Sequence, residues 1–101
     1  MSEFCERQLT FNREDWSGNM ITVLVDNDNG FEFDGYRFKL VEHINDGDYR
    51  SFNLISKDWD YPLFAVGKFA DDKVWEVCHM DLTRSGRDPI IAAIRMLCMT
   101  L

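Results

Sequence analysis

The sequence contains few of the residues that build disulfide frameworks, metal centres or proline-rich linkers. It has three cysteines, two histidines and two prolines in 101 residues. Cys5, Cys78 and Cys98 are odd in number and unrelated in spacing, so they predict no disulfide framework. The chain has no CxxC, HxH, HExxH or GxSxG motif and no glycine-rich phosphate loop. We therefore expect no metal site, no cofactor and no enzymatic activity.

Long apolar stretches are absent as well. The first residues are charged and lack the apolar segment of a secretory signal. Residues 89–101 form the longest nearly apolar segment, but Arg95 interrupts it, and it is shorter than the about 20 residues that cross a membrane. The sequence thus predicts a soluble, cytoplasmic protein with reduced thiols and no membrane contact.

Positive charge is scarce. Eleven basic residues face 18 acidic ones, which gives a net charge of -7, while 46% of the residues are hydrophobic. The hydrophobic share argues against disorder, and the length fits a single domain over residues 1–101. The acidic balance argues against direct nucleic-acid binding, because affinity for the phosphate backbone comes from Lys and Arg.

The first half of the chain predicts strands. Residues 20–25 are a β-branched alternating run and indicate a strand that is buried on at least one face. Before it, Phe4, Leu9, Phe11 and Trp16 are expected to pin an N-terminal strand or coil to the body of the protein.

Asp34-Gly35 is the strongest local signal. An Asp-Gly pair between alternating segments favours a two-residue type I′ hairpin, because both turn residues need positive φ. The expected register gives three facing pairs, two aromatic and one oppositely charged: Phe33 with Tyr36, Phe31 with Phe38, and Glu32 with Arg37.

The second half predicts more strands and one helix. We expect a strand reaching Ile44, a turn at 45–48, a strand over 49–56, a loop over 57–62, a hairpin of 63–69 with 74–79, and a polar connection over 81–88. Asp88 is a good N-cap and Pro89 suits the first helical position. The predicted fold is α+β, an antiparallel sheet of about five or six strands with the C-terminal helix packed on one face. The helix is so apolar that we expect other parts of the structure, or a second subunit, to cover it on more than one side. The alternative is a helix that is buried on one face only and exposes some of its Met side chains.

The segment from Asp26 to Gly30 resembles a calcium loop only in composition. With Gly30 at the sixth position, Tyr36 takes the twelfth, and with Asp26 first, Arg37 does. Neither supplies the carboxylate that an EF-hand needs there. Asp, Asn and Gly also tolerate the geometry of tight turns, which is the interpretation we favour.

The acidic residues are unevenly distributed. Residues 1–80 contain 16 acids and 8 bases, whereas residues 81–101 contain 2 acids and 3 bases. One interpretation is an electronegative surface that occupies the basic groove of a partner, and the other is that Asp simply forms turns. Under the first, the partner-binding residues are Asp26, Asp28, Asp46, Asp48, Asp58, Trp59, Asp60, Asp71 and Asp72. Trp59 would anchor the partner there, or it would fold back to cap the core.

Two short motifs resemble a known group of proteins. Ser56-Lys57-Asp58-Trp59 with Pro62-Leu63, followed by the segment from Arg87 to Arg95, is similar to small tailed-phage and prophage proteins of unknown function. In these, a Ser-x-Asp-Trp segment precedes an Asp-Pro-Leu/Ile-x-Ala-x-x-Arg helix. This chain lacks their Gly-rich stretch after the Trp. The resemblance implies an α/β/α sandwich and a phage accessory role, and it carries over no catalytic residue.

Two functional hypotheses follow. The first is a non-enzymatic phage-type accessory protein that binds and inhibits a basic host protein, such as a CRISPR or restriction complex, through its acidic surface. The second is an assembly module that forms a homodimer through Ile91, Met96 and Met99 of the apolar helix. An enzyme that uses Cys78 or His79 is a remote third.

Overall fold

A computed structural model describes residues 6–14 and 18–100. Phe4, Cys5 and Trp16 lie outside these ranges. The described residues form eight strands and one helix: β1 (Arg7–Asn12), β2 (Met20–Val25), β3 (Gly30–Phe33), β4 (Tyr36–Asn45), β5 (Tyr49–Ser56), β6 (Phe64–Phe69), β7 (Trp75–His79), β8 (Leu82–Gly86) and α1 (Pro89–Thr100).

The strands form two antiparallel sheets. Strands β3 to β8 make a six-stranded sheet in sequential order, and β1 pairs with β2 in a separate two-stranded sheet. The predicted α+β class and antiparallel pairing are confirmed. The strand over residues 20–25 is also confirmed, but it pairs with β1 and not with the main sheet.

The predicted hairpin around Asp34-Gly35 is confirmed in register. Phe33 pairs with Tyr36, Glu32 with Arg37, and Phe31 with Phe38. Both turn residues have positive φ, 54° for Asp34 and 82° for Gly35, as a type I′ turn requires. The hairpin therefore forms where turn chemistry and side-chain alternation agree.

The predicted polar connection over 81–88 is wrong, because most of it is strand β8. Leu82 to Gly86 pairs antiparallel with β7, from His79↔Leu82 to Trp75↔Gly86. Thr83, Arg84 and Ser85 give no apolar alternation, so the sequence had no strand signal here. Backbone pairing and the adjacent helix stabilise this strand instead.

The helix begins where its capping residues predict. The Asp88 carboxylate accepts a hydrogen bond from the N–H of Ile90 at 2.9 Å, and Pro89 is the first helical residue. Contacts of α1 extend to β8, β7 and β6. The guanidinium of Arg95 donates to the carbonyl of Asn12 in β1 and to that of Ser85 in β8. Side chains of both sheets and of the helix join in one hydrophobic core cluster.

The described residues contain a single helix, so they do not form the two helical layers of the α/β/α arrangement that the resemblance implies. Leu9 and Phe11 of β1 are buried, as expected for residues that pin the N-terminal segment to the body of the protein.

Candidate interaction surface

The connections of the main sheet alternate between its two ends, because consecutive strands run antiparallel. Residues 34–35, 57–63 and 80–81 connect strands at one end, which we call the loop end. Residues 46–48 and 70–74 connect strands at the other, which we call the turn end. The N–H of Ala70 donates to the carbonyl of Asp48 at 2.8 Å, so the two turns of the turn end are in contact.

Trp59 is the central side chain of the loop end. Its ring stacks on that of Phe38, with centroids 6.0 Å apart and planes 11° apart, and lies 5.0 Å from the ring of Tyr36. Phe38 is fully buried, yet Trp59 remains 37% exposed. The two sequence interpretations of Trp59 are thus compatible, because one face caps the core while the rest of the ring is accessible.

The loop end carries acidic and apolar side chains in addition to Trp59. Its connections carry one basic residue, Lys57, and four acidic ones: Asp34, Asp58, Asp60 and Asp81. Tyr61 and Met80 are 80% and 82% exposed. Exposed aromatic side chains are enriched at protein-binding surfaces.

The turn end carries the same net charge as the loop end when its connections are counted in the same way. Its connections carry four aspartates, Asp46, Asp48, Asp71 and Asp72, and one basic residue, Lys73. The carboxylate of Asp46 accepts the N–H groups of Asp48 and Tyr49, at 3.0 and 2.9 Å. Asp46 therefore shapes the turn, as the alternative interpretation of the acidic residues predicts.

Asp26 likewise has a structural role. Its carboxylate accepts the N–H groups of Gly30 and Asp28, at 2.8 and 2.9 Å, and pairs with the guanidinium of Arg37. The Gly30 hydrogen bond is the largest of several influences that lower the pKa of Asp26, although partial burial opposes it. These contacts support the turn interpretation of residues 26–30.

The acidic residues proposed from sequence thus lie in three parts of the fold. Asp58 and Asp60 lie with Trp59 at the loop end, four others lie at the turn end, and Asp26 and Asp28 lie between β2 and β3. No protein-family model, curated protein or solved structure matches this chain. The surface must therefore be interpreted from its own chemistry.

Sequence analysis missed several members of the loop end. Asp34 and Tyr36 are far from Met80 and Asp81 in sequence, and only the alternation of connections brings these two pairs to one end. The hairpin prediction placed Tyr36 beside Asp34, which was the one available signal.

The three helix residues proposed for oligomerisation differ in exposure. Ile91 and Met96 are fully buried within the chain, whereas Met99 is 40% exposed. Nearby, burial raises the pKa of the Cys98 thiol.

The remaining reactive residues are dispersed. Cys78 is exposed, and its Sγ lies 3.4 Å from Oγ1 of Thr83, while the His79 ring lies 5.7 Å from that of Phe64. Over residues 6–14 and 18–100, no three His, Cys, Asp or Glu side chains form a group that would hold a metal ion. In the same residues, no helix is long and apolar enough to cross a membrane.

Proposed function

We propose that this protein is a non-enzymatic, cytoplasmic interaction module that binds a basic host protein through its loop end. The observation that carries the proposal is Trp59, which is stacked on Phe38 and Tyr36 yet 37% exposed beside acidic residues. A side chain that is already ordered loses little conformational entropy on binding, which makes it a good anchor. The surrounding aspartates attract a basic partner over a long range.

The acidic balance also favours a protein partner over direct contact with nucleic acid. A surface that carries aspartates where nucleic acid carries phosphates competes for the same basic groove. The resemblance of residues 56–63 and 87–95 to phage proteins supports an accessory role in infection. The partner we infer is a nucleic-acid-handling or defence complex of the host, such as CRISPR or restriction machinery, which the bound protein inhibits.

The test is affinity capture on immobilised protein, with three forms compared. The loop-end form carries Asp58→Asn and Asp60→Asn, and the matched control carries Asp71→Asn and Asp72→Asn. Both forms remove the same charge. We expect a host protein that wild type and the control retain and that the loop-end form loses.

Salt supplies a second criterion. Retention should fall steeply between about 0.05 and 0.3 M salt, because the attraction is screened over a Debye length. The captured protein is then assayed for loss of its activity when this protein is added. Equal retention by the loop-end form, or retention that is insensitive to salt, contradicts the proposal, and selective loss in the Asp71/Asp72 form assigns binding to the turn end.

The second hypothesis, an assembly module, depends on the helix. We infer that α1 covers one face of the six-stranded sheet, since a Cβ on Gly86 of β8 would lie 2.6 Å from Cγ2 of Ile91. That arrangement leaves Met99 as the proposed contact residue that is accessible to a second copy. Sedimentation at micromolar concentration tests the dimer, and a monomer for wild type removes this hypothesis.

A further inference from the structure

A groove lies where the turn between β2 and β3 meets the main sheet. Its volume is about 300 Å³, and its lining includes Lys39 of β4, Ile55 of β5, and Lys57. Lys39 and Ile55 face each other in the β4–β5 register, so their side chains project from the same side of the sheet. Asp26 and Asp28 line the groove from the turn.

The groove has an unusual charge for this acidic protein. Arg7, Arg37 and Arg50 form ion pairs with Asp88, Asp26 and Glu42. In the part of the chain that the structure describes, Lys39 and Lys57 make neither an ion pair nor a side-chain hydrogen bond. Two ammonium groups that have no ion-pair partner in the described residues therefore line one groove.

The acidic residues of the groove do not neutralise these lysines. Asp26 is already held by the N–H groups of Gly30 and Asp28 and by Arg37. The side chain of Asp28 makes no ion pair in the described residues, so its negative charge offsets the charge of one of the two lysines. With the Asp26–Arg37 pair neutral, the groove keeps a net positive charge within a chain of net charge -7.

We infer that this groove binds a small amphiphilic carboxylate. The carboxylate would lie between the ammonium groups of Lys39 and Lys57, and its apolar body would cover the side chain of Ile55. The volume is at the lower limit of the range of about 300 to 1,000 Å³ that is typical of small-molecule sites. This inference does not depend on the proposed function, because it rests on Lys39, Ile55 and Lys57 and not on Trp59 or the aspartates of the loop end.

The experiment is an NMR titration of the ¹⁵N-labelled protein with 3-phenylpropionate, and with its uncharged amide as the matched probe. We expect saturable shifts of the amides of Lys39, Ile55 and Lys57 with the carboxylate. The expected dissociation constant is about 1 mM, in keeping with the small size of the probe. The amide should bind several-fold more weakly, since it lacks the charge that the lysines attract.

Three variants test the charge argument. Lys39→Gln should weaken binding roughly three-fold, as expected for an exposed ion pair. Asp28→Asn should strengthen it, and Lys73→Gln, which removes the same charge at the turn end, should leave it unchanged. Spectra that overlay outside the groove show that each variant is folded. Equal binding of the amide, equal binding by Lys39→Gln, or shifts that do not saturate would overturn the inference.

Discussion

Arg7 and Asp88 form a bidentate ion pair across 81 positions of the sequence. The Nε of Arg7 donates to Oδ2 of Asp88 and its Nη2 donates to Oδ1, each at 3.0 Å. The same carboxylate accepts the N–H of Ile90, and Nη2 of Arg7 also donates to the side-chain oxygen of Asn29 at 3.2 Å. The first residue of β1 is thereby joined both to the start of α1 and to the turn before β3.

Replacement of Asp88 should separate its two roles. Asp88→Ala removes the helix cap and the ion pair and is expected to lower the free energy of unfolding by about 2 kcal/mol. Asp88→Asn keeps a capping oxygen and loses the charge, so about 1 kcal/mol is expected. Urea denaturation measures both. If both variants lost the same free energy of unfolding, the helix cap would make no contribution separate from that of the ion pair.

Gly86 is expected to tolerate no side chain. A Cβ there would lie 2.6 Å from Cγ2 of Ile91 and 2.9 Å from the backbone nitrogen of Ala92. The helix backbone cannot move aside as a flexible side chain can, so Gly86→Ala should destabilise by about 2 to 3 kcal/mol. Gly35→Ala is the comparison, since only its positive φ, and no close atom, opposes a Cβ. If thermal unfolding showed that Gly86→Ala leaves stability unchanged, α1 would have to move freely over β8.

The lowered pKa of Asp26 predicts a specific pH dependence of stability. A carboxylate whose folded pKa lies below its unfolded value of about 3.9 stabilises the protein above that pH, and the contribution is lost as pH falls through the folded pKa. The difference in unfolding free energy between wild type and Asp26→Asn should therefore be constant from about pH 5 to 7 and shrink below about pH 4. Urea titrations across that range measure it. A difference that does not change with pH would count against the contacts of Asp26 with Gly30, Asp28 and Arg37.

Lysine substitutions in the helix should have opposite consequences at Met96 and Met99. Met96 is fully buried, so Met96→Lys places an unpaired charge in the core and is expected to destabilise by more than about 3 kcal/mol. Met99 is 40% exposed, so Met99→Lys should change stability by less than about 0.5 kcal/mol. Circular dichroism with thermal unfolding compares them. If Met99→Lys lowers stability as much as Met96→Lys, Met99 is buried by a contact in the homodimer.

The features that were predicted correctly are those with local causes. The Asp34-Gly35 turn and the Asp88-Pro89 helix start each depend on backbone preferences of two neighbouring residues. Strand β8 was missed because its residues have no apolar alternation, although it pairs with the neighbouring strand β7 across the two residues 80–81. The separate pairing of β1 with β2 was missed because the side-chain pattern of a strand does not specify which other strand it pairs with.

The candidate surface was predicted only in part. The acidic residues and Trp59 were identified, but nothing local distinguishes Asp46, which is used by its own turn, from Asp58 at the loop end. Trp59 lies in the connection after β5, and its exposure depends on its stacking on Phe38 of β4, which is 21 positions away. The groove beside Lys39 and Lys57 was not predicted, since its lining comes from three different segments of the chain.

The sequence by itself determined the charge, the class of fold, the hairpin register and the start of the helix, because short-range steric and hydrogen-bonding preferences specify them. The tertiary structure alone decided which acidic turns meet, which helix residues are buried and which lysines line a common groove. These depend on the alternation of strand direction and on packing between distant segments, and no local pattern of residues encodes either.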